Sequence, residues 1–128
     1  MTESSADGTR DPRPIVTETG NGSVVSGWRC SKCSHPLAVA GPWCPLCRGP
    51  LVEESFGPLG TAWASTVVRV PVQDRTPPWG LVYVDLDDGP RVLGHLEPPE
   101  PAAEVGGRMR LIGRSPQGDP LFTVEASA

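Results

Sequence analysis

The sequence predicts an all-β protein in two parts, a small metal-binding ribbon followed by a five-stranded antiparallel barrel. All four cysteines lie in two Cys-x-x-Cys pairs, at residues 30–33 and 44–47. Glycine and proline account for 15 and 16 of the 128 residues, a share that argues against a helical protein. From Thr61 onward apolar residues alternate with polar ones, and a period of two is that of a β-strand.

The N-terminal residues 1–26 have the composition of a flexible arm. They are rich in Ser, Thr, Gly and Asp, and their few apolar residues follow no sustained period. Such a segment cannot bury enough apolar surface to order itself. We therefore expect the barrel to survive its removal. The alternative is an arm that becomes ordered on a partner.

Residues 27–50 form the predicted metal module. A Cys-x-x-Cys pair can hold one metal ion from a tight turn, and two facing pairs supply the four soft ligands that Zn²⁺ prefers in a closed tetrahedral site. We predict one structural zinc ion per chain, held by Cys30, Cys33, Cys44 and Cys47. Because all four coordination positions are filled, the metal has no open position for a substrate or an activated water.

The loop residues of the module are predicted from the same geometry. Gly49 is expected to supply a positive φ angle after the second pair, whereas Ser34 stands where the first pair would have a glycine. The charged residues of the module are all basic, and they compensate the thiolate charge or form a basic contact surface: Arg29, Lys32 and Arg48. His35 could be an alternative ligand, but an exposed position or one beside the site is favoured.

Other uses of the cysteines are weaker alternatives. Residues 43–47, Trp-Cys-Pro-Leu-Cys, look like a thioredoxin redox motif, but Gly49-Pro50 closes the turn and leaves no room for the helix that this motif needs. Two disulfides would require an oxidising compartment. An iron–sulfur cluster also takes four thiolates, although short knuckles in hairpin-like loops more often hold zinc.

Residues 51–60 are predicted to be a connector, with Phe56 packing between the two modules, and residues 61–128 to be the barrel. The expected strands cover residues 61–70, 81–86, 91–96, 105–112 and 121–125. Asp87-Asp88-Gly89 reads as a tight hairpin turn. His95 is expected to point outward. One face of the first strand is predicted to carry Ala62, Ala64, Thr66, Val68 and Val70. The inward positions of the later strands are predicted to be Val82, Val84, Leu86, Val92, Gly94, Leu96, Phe122 and Val124.

The number and length of these strands favour a small closed barrel. Five short strands with glycines at bends suit the Greek-key barrel of the oligonucleotide/oligosaccharide-binding (OB) fold. Closure removes the exposed strand edges that so small a β-domain could not otherwise protect.

The sequence resembles one known family, and the order of its parts carries that resemblance more than any single motif does. The segments that carry the resemblance are residues 28–33 (WRCSKC), 43–47 (WCPLC), 60–66 (GTAWAST) and 88–96 (DGPRVLGHL). Together with the arm and the Gly-rich connector, they are similar to the DUF35 family, in which a rubredoxin-like zinc ribbon precedes an OB-fold barrel. The resemblance covers about residues 27–126.

The resemblance implies a non-catalytic accessory subunit. Similar proteins associate with thiolase-like condensing enzymes, acyl-CoA hydratases or steroid side-chain aldolases, and are thought to hold acyl-CoA. The four cysteines carry over as the zinc ligands of the ribbon. The arm departs from the family pattern, in which a short helix precedes the ribbon.

The residues of the barrel agree with a non-enzyme. His95 is its one histidine, and a single histidine without a partner does not establish a general base. Coenzyme A carries several negative charges, so its binding would need arginines such as Arg69, Arg91 or Arg108. These arginines are equally compatible with simple solvation on a strand.

A single-stranded nucleic-acid-binding module is the alternative function. That activity needs stacking aromatics and a basic groove, and the barrel offers Trp63, Trp79 and Tyr83. From Leu51 onward, however, there are eleven acidic residues against six arginines, and the net charge of the chain is −4. Acidic surfaces bind phosphate backbones poorly.

The hydropathy of the chain is the evidence from which its cellular compartment is predicted. No apolar run approaches the roughly 20 residues of a membrane span, and the N-terminus has no apolar run of signal-peptide type. We therefore expect a soluble protein of the reducing cytoplasm.

Overall fold

The computed structural model describes residues 13–72 and 75–125, and over those residues the protein is all-β, as predicted. Its nine strands in chain order are β1 (Ile15–Thr19), β2 (Gly22–Cys30), β3 (Pro36–Leu37), β4 (Leu51–Phe56), β5 (Leu59–Val68), β6 (Trp79–Leu86), β7 (Arg91–Leu96), β8 (Arg108–Arg114) and β9 (Pro120–Val124). The described part of the chain has no helix with the length and apolar character needed to cross a bilayer.

Strand β2 is the centre of the ribbon sheet. It pairs antiparallel with β1 through residues 22–26 and with β3 through Trp28 and Arg29. Its opposite edge pairs with β4 over residues 25–30. One strand therefore runs from the N-terminal hairpin to the first zinc-ligand candidate, Cys30.

Strands β5 to β9 close into a five-stranded barrel in the order β5-β6-β7-β9-β8, with β8 returning to β5. The predicted antiparallel arrangement is wrong at one seam, because β7 and β9 pair in parallel through His95–Leu121 and Leu96–Phe122. Strand β8 crosses over to pair with β5, so β9 enters the gap between β8 and β7 in the direction of β7. This is the Greek-key closure of the OB fold.

A single core joins the ribbon sheet to the barrel. Val16, Val25 and Phe56 belong to the same buried cluster as the barrel residues Ala62, Val82, Val84, Leu86, Val92, Leu96, Met109, Leu111 and Phe122. Phe56 lies between the two parts as predicted. A Cβ atom on Gly27 of β2 would meet its ring at 3.1 Å, and one on Gly89 of the barrel would meet it at 2.7 Å.

The expected flexible arm differs from the structure in residues 15–26, which form the β1–β2 hairpin. Val16 lies opposite Val25, and both side chains are buried in the core. The turn between Thr19 and Gly22 is Gly20-Asn21, a residue pair favoured in two-residue hairpin loops. Two buried apolar residues were too few to produce a period in the sequence. Residues 1–12 of the expected arm lie outside the described residues.

The expected connector is also mostly strand. β4 covers residues 51–56 along the edge of β2, and β5 begins at Leu59. Glu53 and Glu54 are solvated as expected, because an edge strand can expose its side chains while its backbone pairs. Only Gly57 and Pro58 separate the last ribbon strand from the first barrel strand.

A β-bulge at Trp63 changes which residues of β5 face inward. Ala62 lies opposite Val84, but the register shifts so that Ala64 lies opposite Tyr83 and Ser65 opposite Val82. Opposed residues share a face of an antiparallel pair, so Ser65 faces the interior and Ala64 does not. The predicted common face of Ala62, Ala64, Thr66 and Val68 is therefore wrong beyond Trp63, because one extra residue inverts the alternation.

The later strands keep most of their predicted positions. Strand β7 covers residues 91–96, as predicted, and Val82, Val84, Leu86, Val92 and Leu96 are buried. Strand β8 begins at Arg108 rather than Val105, because the chain turns at Gly106, whose φ is +89°. Val124 lies opposite Met109 but remains 57% exposed at the open end of the barrel.

Candidate metal centre

The structure brings the four predicted ligands together. The sulfur atoms of Cys30, Cys33, Cys44 and Cys47 all lie within 4.8 Å of one another. Cys30 Sγ is 3.4 Å from Cys47 Sγ, and Cys33 Sγ is 3.6 Å from Cys44 Sγ. Zinc–sulfur bonds of about 2.3 Å in a tetrahedron place sulfurs roughly 3.8 Å apart. The separations and the donor set therefore fit a four-coordinate metal ion.

The two cysteine pairs sit in matching turns. Ser34 N donates to Cys30 O at 2.9 Å, and Arg48 N donates to Cys44 O at 2.8 Å. Ser34 and Arg48 both adopt positive φ angles, 70° and 64°. The predicted positive φ at Gly49 is thus wrong, because the left-handed residue that closes each turn lies four positions after its first cysteine.

Gly49 is required for another reason. A Cβ atom at this position would lie 2.9 Å from Cys30 Sγ, 3.2 Å from Cys47 Sγ and 2.8 Å from Lys32 Cβ. Its backbone oxygen also accepts a hydrogen bond from Cys44 N at 2.9 Å. The chain passes so close to the sulfurs here that no larger residue fits without moving them.

Backbone N–H groups point at the sulfurs. Cys33 N and Lys32 N lie 3.4 and 3.3 Å from Cys30 Sγ. The hydrogen bond from Cys33, followed by that from Lys32 and those from neighbouring thiols, lowers the pKa of Cys30 to about 6 against the effect of burial. Hydrogen bonds to a thiolate favour the charged form, so Cys30 is prepared to bind as an anion.

The pKa of Cys33 is shifted in the opposite direction, upward. The N–H of His35 acts to lower the pKa of Cys33, but desolvation and the three other thiols raise it to about 12. Closely spaced anions disfavour one another unless a cation lies among them. A bound divalent cation would supply that charge and would displace the remaining thiol protons.

His35 is not part of the sulfur cluster. Its backbone contributes to the turn: its oxygen accepts a hydrogen bond from Cys30 N at 2.9 Å, and its N–H acts on the Cys33 thiol. The metal-ligand candidates grouped among the described residues are the four cysteines alone. This agrees with the prediction that His35 lies beside the site and is not a ligand.

The predicted phosphate-binding arginines are each held by a carboxylate. The ion pairs are Arg69–Glu100 at 2.9 Å, Arg91–Asp85 at 2.6 Å and Arg108–Asp87 at 2.6 Å. An anionic ligand at any of them would have to compete with that carboxylate.

The fold also separates these arginines. Arg91 and Arg108 belong to one cross-strand row, in which Thr61 lies opposite Asp85 on one side and opposite Arg108 on the other, while Asp85 lies opposite Arg91. Arg69 follows the far end of β5. The three residues do not form one phosphate site.

His95 does not face solvent as expected. Its side chain is 13% exposed, and Nε2 lies 3.2 Å from Asp119 Oδ2. Arg75 donates to both partners, from Nη1 to His95 Nε2 at 3.0 Å and from Nη2 to Asp119 Oδ2 at 3.2 Å. Desolvation, followed by the charge of Arg75, lowers the pKa of His95. The contacts of the imidazole tie β7 to the turn before β9.

The outer face of the barrel carries an exposed apolar patch that the strand pattern did not single out. Trp63, Tyr83 and Leu93 are 49%, 40% and 41% exposed. Trp63 and Tyr83 meet edge to face at 5.8 Å between ring centroids, and the Arg91 guanidinium lies 3.8 Å from the Trp63 centroid. Alternation already places Trp63 on the face opposite the buried Ala62. Its proximity to Tyr83 and Leu93 depends on the strand register, in which Ala64 lies opposite Tyr83 and Tyr83 opposite Leu93.

Comparisons with known proteins agree with this fold. Residues 54–114 match the family described as ChsH2, C-terminal OB-fold domain. The structure is similar to a solved structure described as Ltp2-ChsH2(DUF35) aldolase, with a TM-score of 0.62 and 22% identity, covering 79% of this chain and 84% of that chain. A search of curated proteins finds no significant match. The matched barrel domain and the four-cysteine ribbon that precedes it thus agree with the resemblance of the sequence to DUF35 OB-fold proteins.

Proposed function

We propose that this protein is a non-catalytic accessory subunit of an acyl-CoA-processing enzyme in the cytoplasm. The observation that carries the proposal is the similarity of ribbon and barrel together to the Ltp2-ChsH2(DUF35) aldolase structure, whose description joins a DUF35 chain to an aldolase. The partner is an enzyme of that broad kind: a thiolase-like condensing enzyme, a hydratase or an aldolase.

The chemistry of the described residues supports a role without catalysis. Four cysteine sulfurs complete the coordination of a tetrahedral ion, so a metal there cannot activate water or polarise a substrate. Among the described residues, His95 bonds to Arg75 and Asp119 and to no hydroxyl or thiol. The hydroxyl of Ser115 accepts from the backbone N–H of Asp119, so these side chains do not form a nucleophile–base pair.

The metal is proposed to be zinc with a structural role. It would fix the two knuckles against the end of β2 and the start of β4, because Cys30 ends β2 and pairs with Leu51 of β4. The ribbon then presents a rigid surface to the partner enzyme.

Co-purification tests the proposal. The full chain carrying an affinity tag is expressed in its own cell and purified with its partners, which are identified by mass spectrometry. We expect an acyl-CoA enzyme at comparable molar amount, and we expect its turnover or stability to fall when the subunit is removed. Turnover of an acyl-CoA thioester by the isolated chain would contradict the accessory role.

The same preparation distinguishes the accessory role from the alternative, a nucleic-acid-binding module. A single-strand binder should be retained on heparin at moderate salt and should co-purify with nucleic-acid machinery. The exposed Trp63–Tyr83 pair could stack with bases, but Arg91 already lies over the Trp63 ring. We expect no such retention, since the chain is acidic.

A further inference from the structure

The four cysteines of the ribbon differ in their access to solvent. Cys33 is exposed and Cys47 is half-buried, whereas Cys30 and Cys44 are only 1% and 0% exposed. Oxidation of a cysteine requires both thiolate character and access. Because all four would bind a metal ion as thiolates, access is the property that distinguishes them. An oxidant that arrives from solution therefore meets the sulfur of Cys33 first.

A second sulfur lies within reach of Cys33 but is closed to solvent. Cys44 Sγ is 3.6 Å from Cys33 Sγ, and it is covered on another side by the backbone N–H of Leu46, whose nitrogen lies at 3.4 Å. A disulfide bond is about 2.05 Å long, so the two sulfurs need to approach each other by roughly 1.5 Å. Cys44 can thus react with an oxidised Cys33 while the fold protects it from the oxidant itself.

The surroundings of the cysteines are basic. Lys32 and Arg48 each adjoin a cysteine in the chain, both are exposed, and neither forms an ion pair with any described residue. Residues 27–50 contain no aspartate or glutamate. Positive charge near a cysteine favours its thiolate, and it also stabilises the hydroxide that leaves when a thiolate attacks a peroxide.

We propose that Cys33 is a site of reversible oxidation by hydrogen peroxide, with Cys44 as the cysteine that resolves it. The Cys33 thiolate attacks one peroxide oxygen, so that an S–O bond forms, the O–O bond breaks and hydroxide leaves. The product is a sulfenic acid. The Cys44 thiolate then attacks the Cys33 sulfur, and an S–S bond replaces the S–O bond as a second hydroxide leaves. The two sulfurs supply the two electrons that reduce the peroxide.

The disulfide removes two of the four metal ligands. Cys30 and Cys47 remain, and two thiolates do not complete the closed tetrahedral site of a structural zinc ion. We therefore expect the metal to be released. Thiol–disulfide exchange with a small thiol reverses the step, and in a reducing cell such a disulfide is transient and redox-sensing. The inference goes beyond the proposed function and does not depend on the identity of the partner enzyme.

Strand β2 would carry the effect of oxidation into the rest of the fold. Cys30 ends this strand and pairs with Leu51 of β4, and the same strand contributes Val25 to the core that the ribbon shares with the barrel. Release of the metal from Cys30 should therefore lower the thermal midpoint of the whole protein.

Peroxide treatment of the full, zinc-loaded chain tests the proposal. A chromogenic zinc indicator follows release of the metal, and alkylation of the remaining thiols with mass spectrometry maps the disulfides. We expect the Cys33–Cys44 disulfide to form first, with release of one zinc ion per chain. Circular dichroism should show a lower thermal midpoint, and dithiothreitol with added zinc should restore it.

Two matched variants locate the reactive sulfur. Cys33→His keeps a site of three cysteines and one histidine, a ligand set that structural zinc accepts, and should slow the peroxide-driven release of zinc by at least about tenfold, since the exposed thiolate is gone. Cys47→His makes the same exchange in the other knuckle and should still form the Cys33–Cys44 disulfide. Elemental analysis before oxidation checks that both variants hold zinc.

Three results would overturn the inference. The zinc-loaded chain could keep its metal and all four thiols in peroxide, the first disulfide could join a different pair, or Cys33→His could release zinc as fast as the unmodified chain. The disulfide map of the unmodified chain decides the matter even if a histidine variant does not fold. None of these results bears on co-purification with an acyl-CoA enzyme, so the proposed function stands or fails separately.

Discussion

At the scale of single residues, the metal content of the protein follows from the geometry of the four cysteine sulfurs. We expect one zinc atom per chain by elemental analysis, and loss of that metal in Cys44→Ser with unfolding of the ribbon. Structural zinc contributes roughly 10–16 kcal/mol of apparent binding free energy in small modules. Iron in the purified protein, or a fully reduced protein that takes up no metal, would contradict this expectation.

The cysteine cluster could be predicted from the sequence because its chemistry is local. Two Cys-x-x-Cys pairs define both the candidate ligands and the turns that hold them, and the four sulfurs do come together. The partners of Arg69, Arg91 and Arg108 could not be predicted. Each ion pair depends on which strand lies alongside the arginine or on where a loop returns, and the sequence near an arginine does not contain that information.

Gly49 offers a sharper test of the same site. Gly49→Ala should lower metal affinity, because the added Cβ would lie 2.9 Å from Cys30 Sγ and 3.2 Å from Cys47 Sγ. Competition with a chromogenic chelator measures the change. Gly41→Ala in the same module is the control, since its Cβ would have 3.7 Å to its nearest neighbour. Equal affinities in the two variants would show that the sulfurs tolerate the methyl group.

At the scale of elements, turns and alternation predicted β7 within its correct bounds, because Asp87–Gly89 and Pro98 enclose it. The same reasoning failed along β5, where the bulge at Trp63 inverts the alternation without any change in composition. It also failed for the β1–β2 hairpin, whose burial depends on two valines that contact a distant part of the chain. Apolar–polar alternation predicts strands that bury many side chains, and it does not detect strands that bury only one or two.

The β1–β2 hairpin makes the contribution of the N-terminal segment to stability measurable. Val25→Ala should lower the free energy of unfolding by about 2 kcal/mol, since two buried methyl groups and a cavity are involved. Val52→Ala on β4 of the same sheet is the control, because Val52 is 56% exposed. Urea denaturation compares them. Equal midpoints would mean that the hairpin does not contribute to the core.

Deleting residues 1–26 should accordingly destabilise the barrel, contrary to what the composition of the arm suggested. The deletion removes β1 and the first half of β2, and with them Val16 and Val25 of the shared core.

At the scale of the whole molecule, ribbon and barrel share one buried core, and we expect them to unfold together. Strand β2 carries Val25 of the core and ends at Cys30, one of the four candidate metal ligands, and Phe56 packs against both parts. Removing the metal with a chelator should therefore lower the thermal midpoint of the barrel as well as that of the ribbon. Far-UV circular dichroism follows the barrel strands, and an unchanged midpoint would show that the two parts melt independently.

The parallel seam of the barrel has a consequence for its motions. Strands β7 and β9 pair through His95–Leu121 and Leu96–Phe122. The side-chain hydrogen bonds among Arg75, His95 and Asp119 connect the same two parts of the chain. Such a short ladder opens more readily than the longer antiparallel ones around it. Among the strand pairs of the barrel, the amide hydrogens at this seam should exchange with deuterium first.

The seam should also open more readily in mild acid. The pKa of His95 in the folded protein lies below its ordinary value, so the unfolded chain takes up the proton more readily, and the contribution of the imidazole to stability is lost as the pH falls below about 6.5. Protonation also places a second positive charge beside the Arg75 guanidinium, which lies 3.0 Å from His95 Nε2. We therefore expect the β7–β9 seam to be the place where local unfolding of the barrel begins, and acid to increase the fraction of molecules that are open there.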